Sequence, residues 1–223
     1  MKVIGRRGQD NLLRKLFRVL LTVPLVVLGW LALVRVVRYF VKFPMPQFMA
    51  PLIDNPFRHR FQPPEEIAWR HGIEPGMRVL DVGPGNGRYT LSTARAVGGE
   101  GHLVAVDIEP KMIRRLQERL QQEGLAGVDG LIADVHALPF MGGAFDAVYL
   151  ITVIGEISEP VGAIEEFHRV LSPVGTLAFS EFFPDPDYPS RRGLLRKAHQ
   201  AGFIPSYRTG SWFAYTQVFE KEV

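Results

Sequence analysis

The segment Val79-Leu80-Asp81-Val82-Gly83-Pro84-Gly85-Asn86-Gly87 constrains this chain more than any other. A short apolar run closes on an aspartate, and three glycines follow at alternate positions. This pattern predicts a buried parallel strand that turns sharply into a helix, bringing bare backbone close to a ligand. Glycine adopts positive φ freely and carries no Cβ to hold a ligand away. The helix that follows supplies free N–H donors and the positive end of its dipole. Spacing narrows the ligand. A dinucleotide fingerprint wants Gly-x-Gly-x-x-Gly, whose third glycine lets helix and strand pack closely. Arg88 stands at that third position, so this fingerprint is broken.

Two acids follow at predicted strand ends. Gly101-His102-Leu103-Val104-Ala105-Val106-Asp107 reads as a second strand closing on an acid, about 20 residues past the turn. In doubly wound α/β folds an acid at this point accepts hydrogen bonds from ribose hydroxyls. Asp107 can at the same time serve as the N-cap of a helix whose first turn holds Pro110. The stretch Leu131-Ile132-Ala133-Asp134-Val135-His136-Ala137-Leu138-Pro139-Phe140 sets Asp134 before a loop. Phe145–Ile151 reads as a fourth, central strand, and Arg169–Leu177 as helix, turn and strand around Ser172-Pro173-Val174-Gly175.

In this order and spacing, over roughly residues 64–220, these segments resemble the class I S-adenosylmethionine-dependent methyltransferases. The resemblance is greatest to the branch that includes quinone-biosynthesis and other small-molecule enzymes. It implies S-adenosyl-L-methionine as cofactor, with Asp81, Gly83, Gly85 and Gly87 forming the first binding motif. It further implies that Asp107 binds both ribose hydroxyls and that Ile108 packs on the adenine. Asp134 would accept from the adenine amino group, Val135 would offer its N–H to the ring, and Ile151 would close the cofactor set. One departure is small: the family's Pro-Gly-Gly turn is Pro-Val-Gly here. The acceptor is not encoded in these motifs, because a fold hosts many chemistries.

The alternation of strands and helices predicts a Rossmann-like, doubly wound, seven-stranded and mostly parallel sheet covered on both faces. Two last strands about Gly210-Ser211 predict an antiparallel C-terminal hairpin. Residues 64–223 form this domain, preceded by a connector over 43–63 and a basic, hydrophobic segment over 1–42. The chain has no Cys, so neither disulfides nor thiolate metal ligands are available, and no metal site is expected from its His and carboxylate spacing. Residues 1–42 hold nine Lys/Arg against Asp10 alone, whereas 43–223 hold 17 Lys/Arg against 22 Asp/Glu. The basic character belongs to the N-terminus, which argues against a nucleic-acid substrate.

From Val19 to Val34 the chain carries no charge. As a helix these residues span about 24 Å, short of the roughly 30 Å hydrocarbon core. Arg14, Lys15 and Arg18 precede the run and Arg35, Arg38 and Lys42 follow it, with Trp30, Tyr39 and Phe40 as interfacial aromatics. A span and an oblique, surface-lying helix both fit. A signal peptide lacks its small-residue cleavage site, since Arg35-Val36-Val37-Arg38 is the wrong flank. A buried helix of a soluble protein is the remaining alternative. Flanking charges do not fix an orientation, but S-adenosylmethionine is made in the cytosol, so the catalytic domain is expected on the cytoplasmic side of a membrane. The Pro-rich connector predicts no regular element and serves as a linker, or as a lid or apolar wall beside the cofactor. Its Arg58, His59 and Arg60 are either solvated or paired with lipid phosphates.

Methyl transfer is an in-line displacement that the enzyme serves mainly by positioning. Where a general base is needed, Glu156, just past the fourth strand, and His136 are the candidates. The membrane segment points to a small, lipophilic acceptor such as a lipid headgroup, a quinone or an isoprenoid-like molecule. A methyltransferase of a soluble metabolite or protein is the alternative within enzymes, and a non-catalytic cofactor- or partner-binding module the alternative outside them.

Overall fold

The computed structural model describes residues 56–222 throughout, and helical positions at 17–18, 22–23, 25–26, 29–30 and 33–37. The chain divides into two compact units, Met1–Val41 and Lys42–Val223. In the first unit the described residues are helical, and Thr22 Oγ1 donates to the Arg18 carbonyl one turn back at 2.8 Å. The apolar side chains of Val23, Leu25, Val26, Trp30 and Leu33 are exposed. Among the described residues no helix is long and apolar enough to cross a membrane. The remainder of the run 19–34 and connector residues 43–55 lie outside the described residues.

In the second unit a seven-stranded sheet has the order β3-β2-β1-β4-β5-β7-β6. Its strands are β1 Arg78–Val82, β2 His102–Asp107, β3 Val128–Ile132, β4 Phe145–Ile151, β5 Leu171–Phe182, β6 Phe203–Gly210 and β7 Ala214–Lys221. The first five are parallel, while β7 runs antiparallel to both β5 and β6. Strand β1 is buried from Val79 to Val82, as a strand flanked by neighbours and covered on both faces must be. The order reverses between β1 and β4, and the crevice there is where open α/β sheets bind ligands.

Helices α1 Pro56–His59, α2 Ile67–Arg70, α3 Arg88–Val97, α4 Pro110–Gln122, α5 Pro160–Val170 and α6 Arg191–Gln200 complete the unit. Because successive strand residues point to opposite faces, two cores form. On one face Leu80, Val82, Val148, Leu150 and Phe179 pack with Phe167 of α5 and Leu194 of α6. On the other Val79, Leu103, Tyr149, Ala178 and Val218 pack with Ile67 of α2 and Val97 of α3. Helix α4 buries Ile113, Leu116 and Leu120 on a single stripe against the sheet.

The structure corrects three sequence expectations. The connector does contain a regular element, α1, whose first residue is Pro56, a position that needs no N–H partner. The helix expected over 64–72 is a 3₁₀ turn at Pro64–Glu66 and the single turn α2, stopped by Gly72 at φ +69°. The turn at Pro173-Val174-Gly175 is an irregularity within β5: Phe145 pairs with Leu171, but Ala147 already pairs with Thr176.

Candidate active site

The glycine turn forms the floor of the crevice. The N–H of Gly83 donates to the Val106 carbonyl of β2 at 2.8 Å, and Gly83 has φ +71°. A Cβ there would lie 2.5 Å from Val153 Cγ2, so only glycine lets the loop after β4 close on the turn. Gly85, at φ +56°, is different: a Cβ on it would meet nothing within 4 Å, so the turn opens outward at this residue. Gly87 caps α3 in the left-handed region.

Asp81 faces inward. It is 2% exposed, and its Oδ2 accepts from Thr90 Oγ1 of α3 at 2.6 Å. Burial pushes its carboxyl up to about 6, and burial together with this carboxyl raises the neighbouring Tyr149 phenol. Asp81 thus fastens the end of β1 to α3 and braces the turn from behind. Asp107, at the end of β2, is half-buried and its Oδ1 accepts from the Glu109 N–H at 2.9 Å. Burial raises this carboxyl too. Ile108 beside it is 59% exposed, a large apolar face next to a hydrogen-bond acceptor. Asp134 is exposed, while Val135 is half-buried and packs on the core. Ile151 is buried at the end of β4, in the core on the α2 and α3 side.

His136 presents no spare nitrogen. Its Nδ1 lies 2.8 Å from Asp134 Oδ1 and its Nε2 lies 3.1 Å from the Glu159 carbonyl. Two acceptors around one ring favour the doubly protonated imidazolium. The hydrogen bond to Asp134 accordingly raises the His136 pKa, and the His136 backbone N–H and side chain lower that of Asp134. A ring with both nitrogens donating does not abstract a proton, so His136 serves to fix Asp134. Glu156 is half-buried in the loop after β4, its N–H bonded to the Val153 carbonyl at 2.9 Å.

Residues 56–62 cross the carboxyl ends of β4 and β5, with Phe57 and Phe61 packed in tilted and edge-on contacts against Phe182 and Phe213. Arg58, expected to be solvated or phosphate-facing, is instead 4% exposed. Its Nη2 donates to Thr152 Oγ1 at 3.1 Å and its Nε to Gln62 Oε1 at 3.0 Å. Gln62 Nε2 in turn donates to the Glu181 carbonyl at 3.2 Å, and Tyr89 Oη–H to the Gln62 carbonyl at the same distance. Thr152 has φ +57°, the one such non-glycine among the described residues. Strain of this kind concentrates at functional sites. Residues 56–62 are thus packed and hydrogen-bonded onto the carboxyl ends of β4 and β5. Among the described residues no group of three or more His, Asp or Glu is placed to hold a metal.

Residues 73–202 match the model of a family described as a methyltransferase domain. A ubiquinone/menaquinone biosynthesis C-methyltransferase, UbiE, of Hydrogenovibrio crunogenus is 38% identical over 112 residues, which is 50% of this chain and 44% of that protein. The corresponding protein of Yersinia enterocolitica is 36% identical over 50% of this chain and 45% of its own length. The matched region thus spans less than half of either relative. A SAM-dependent methyltransferase from Aquifex aeolicus superposes with a TM-score of 0.73 at 24% identity, covering 79% of this chain and 98% of its own. The [4+2]-cyclase SpnF superposes at 0.65 with 21% identity, over 74% and 82%. These likenesses establish the fold, and the cyclase illustrates that the fold alone does not select a reaction.

Proposed function

The chain belongs to the methyltransferase-domain family, and on that premise we propose that it transfers a methyl group from S-adenosylmethionine to a small lipophilic acceptor at a membrane surface. The observation that carries the cofactor is the pairing of an open glycine turn at Gly85 with the half-buried Asp107 and the exposed Ile108. A backbone cradle, an acceptor for ribose hydroxyls and an apolar face for a ring suit the three parts of that molecule. When bound, it supplies an electrophilic methyl on a positively charged sulfur. The protein's residues do the rest. Gly83, Gly85 and Gly87 would hold the amino-acid end, Asp107 and Ile108 the adenosine, and Asp134, fixed by His136, the adenine amino group. The wall of Phe57, Arg58 and Phe61 keeps water from the reacting atoms.

Two supports favour a lipophilic acceptor. The relatives that match half of this chain are named for ubiquinone/menaquinone biosynthesis. The apolar run 19–34, with the exposure of its described helical side chains, supports attachment to a bilayer. The catalytic unit then lies on the cytoplasmic side, where the methyl donor is made. Supplying the full-length protein with methyl-labelled S-adenosylmethionine and separate lipid and aqueous cell extracts tests this reading. Label is expected in the lipid fraction. Label confined to the aqueous fraction contradicts the lipophilic acceptor, and carbonate release of the protein from membranes contradicts an integral anchor.

A further inference from the structure

Trp212 and Phe57 hold large aromatic surface in the open that neither core nor the cofactor cradle uses. Trp212, at the tip of the β6–β7 hairpin, is 69% exposed, and Phe57 of α1 is 56% exposed. Both belong to one cluster. The Phe213 ring lies 5.7 Å from Trp212 and 6.3 Å from Phe57, centroid to centroid, and Phe183 lies 5.3 Å from Trp212. The cluster packs inward on Phe182 and leaves its two outer rings uncovered. A single exposed aromatic is ordinary, but two rings fixed on a shared base form a built apolar face.

The place of this face in the fold gives it a direction. Ala214, just past the hairpin tip, pairs with Phe182 at the end of β5, and the Phe183 N–H donates to the Phe213 carbonyl at 2.7 Å. The face therefore lies beyond the carboxyl ends of the parallel strands, the end at which the crevice between β1 and β4 opens. Exposed arginines flank it: Arg60 directly after α1, and Arg191 and Arg192 in the first turn of α6. The loop leading into α6 is held to the hairpin tip by Tyr188, whose Oη–H donates to the Trp212 carbonyl at 2.7 Å. Acids of that loop are withdrawn, Asp185 being 4% exposed and Asp187 half-buried. Of the exposed acids that follow Arg60, Glu66 is paired with Arg70 at 2.7 Å.

Two observations select what covers the face. Tryptophan and phenylalanine rimmed by arginine suit the headgroup layer of a bilayer, with rings among the upper acyl chains and guanidinium groups on phosphates. The chain also reaches Pro56 through residues 35–55, which follow the uncharged run 19–34 and span at most about 70 Å. A face tethered in this way to a bilayer-held segment meets lipid at high effective concentration, so a weak contact suffices. Resting on the membrane-surface reading above, we propose that this face is a second contact of the catalytic unit with an anionic bilayer. Trp212 and Phe57 enter the headgroup layer, and Arg60, Arg191 and Arg192 pair with lipid phosphates. The contact turns the mouth of the crevice toward the lipid that carries the acceptor.

The chain's three tryptophans, Trp30, Trp69 and Trp212, provide the test and its control. Trp69 is as exposed as Trp212, but the neighbouring Arg70 carbonyl accepts from Tyr207 in the middle of β6, away from the strand ends. Two full-length variants are compared, Trp30→Phe with Trp69→Phe, and Trp30→Phe with Trp212→Phe. Each is mixed with vesicles of equal parts phosphatidylglycerol and phosphatidylcholine, with or without bromine on the upper acyl chains, and binding is checked by flotation. Brominated lipid should remove at least about a third of the Trp212 emission and leave Trp69 emission unchanged. Adding Arg191→Glu and Arg192→Glu, or raising salt to about 0.5 M, should weaken the quenching while the melting temperature stays close to that of the parent. Floating protein with unquenched Trp212, equal quenching of both tryptophans, or failure to float overturns the proposal. So does Trp212 emission that shifts with protein concentration in the absence of lipid, the mark of a second copy on this face. Quenching of Trp212 without methyl transfer from labelled S-adenosylmethionine upholds the face and contradicts the methyltransferase reading. Transfer into lipid with Trp212 unquenched does the reverse.

Discussion

Asp81 shows how one residue serves the site at the expense of the fold. Its carboxyl is held under α3 by Thr90, and burial raises its pKa from 3.8 to about 6. A raised folded pKa stabilises the protein fully below the unfolded value, and this contribution is lost as pH rises through the folded one. Keeping the carboxylate charged at neutral pH therefore costs the fold about 3 kcal/mol, at roughly 1.4 kcal/mol for each tenfold weakening of the acid. Asp81→Asn keeps an acceptor for Thr90 and removes the charge. Thermal unfolding against pH should show this variant more stable than wild type at pH 7, with the gain vanishing as pH falls through the range between about 6 and 4. A variant less stable than wild type at pH 7 would contradict a costly buried charge. Legibility at this scale followed sequence distance. Asp107 and Asp134 could be named because each closes an apolar run. Arg58 and Gln62 could not, because their partners are remote: Arg58 reaches Thr152 across 94 positions, and Gln62 reaches Glu181 across 119.

At the scale of elements, the site is an encounter of loops on a rigid sheet. The strands were readable because parallel strands buried on both faces appear as apolar runs, and β7 and β6 because glycine and serine separate them. The boundaries were less readable where backbone irregularity intervened. Residues 172–175 hold four positions inside β5 that the helix–turn–strand pattern assigns to a turn. The cover at 56–62 was obscured by its prolines, which mask a helix of four residues. What holds the cover is aromatic packing and the buried Arg58, neither of which has a local signature. The loops above the sheet should be correspondingly intolerant of added volume. Gly155→Ala forces the β4–α5 loop away from Asp187, and overpacking of this kind costs about 1–3 kcal/mol. The variant should stay folded by circular dichroism, retain S-adenosylmethionine binding and lose at least about tenfold in methyl transfer. Unimpaired transfer would mean that the two loops do not shape the acceptor side.

The whole molecule joins a catalytic unit, Lys42–Val223, to a basic and apolar N-terminal unit, Met1–Val41. Composition exposed that division directly, since charge of opposite sign gathers on either side of it. Composition could not say what the N-terminal unit does, because an uncharged run of 16 residues suits several environments. The acceptor is likewise absent from the motifs, since the glycines and strand-end acids answer only to the donor. The central claim is therefore the donor, and isothermal titration of the full-length protein with S-adenosylmethionine tests it most directly. One site per chain is expected, with affinity at least about tenfold weaker in Asp107→Ala, a loss of about 1.4 kcal/mol. Equal binding by wild type and variant, or no heat from either, would contradict it.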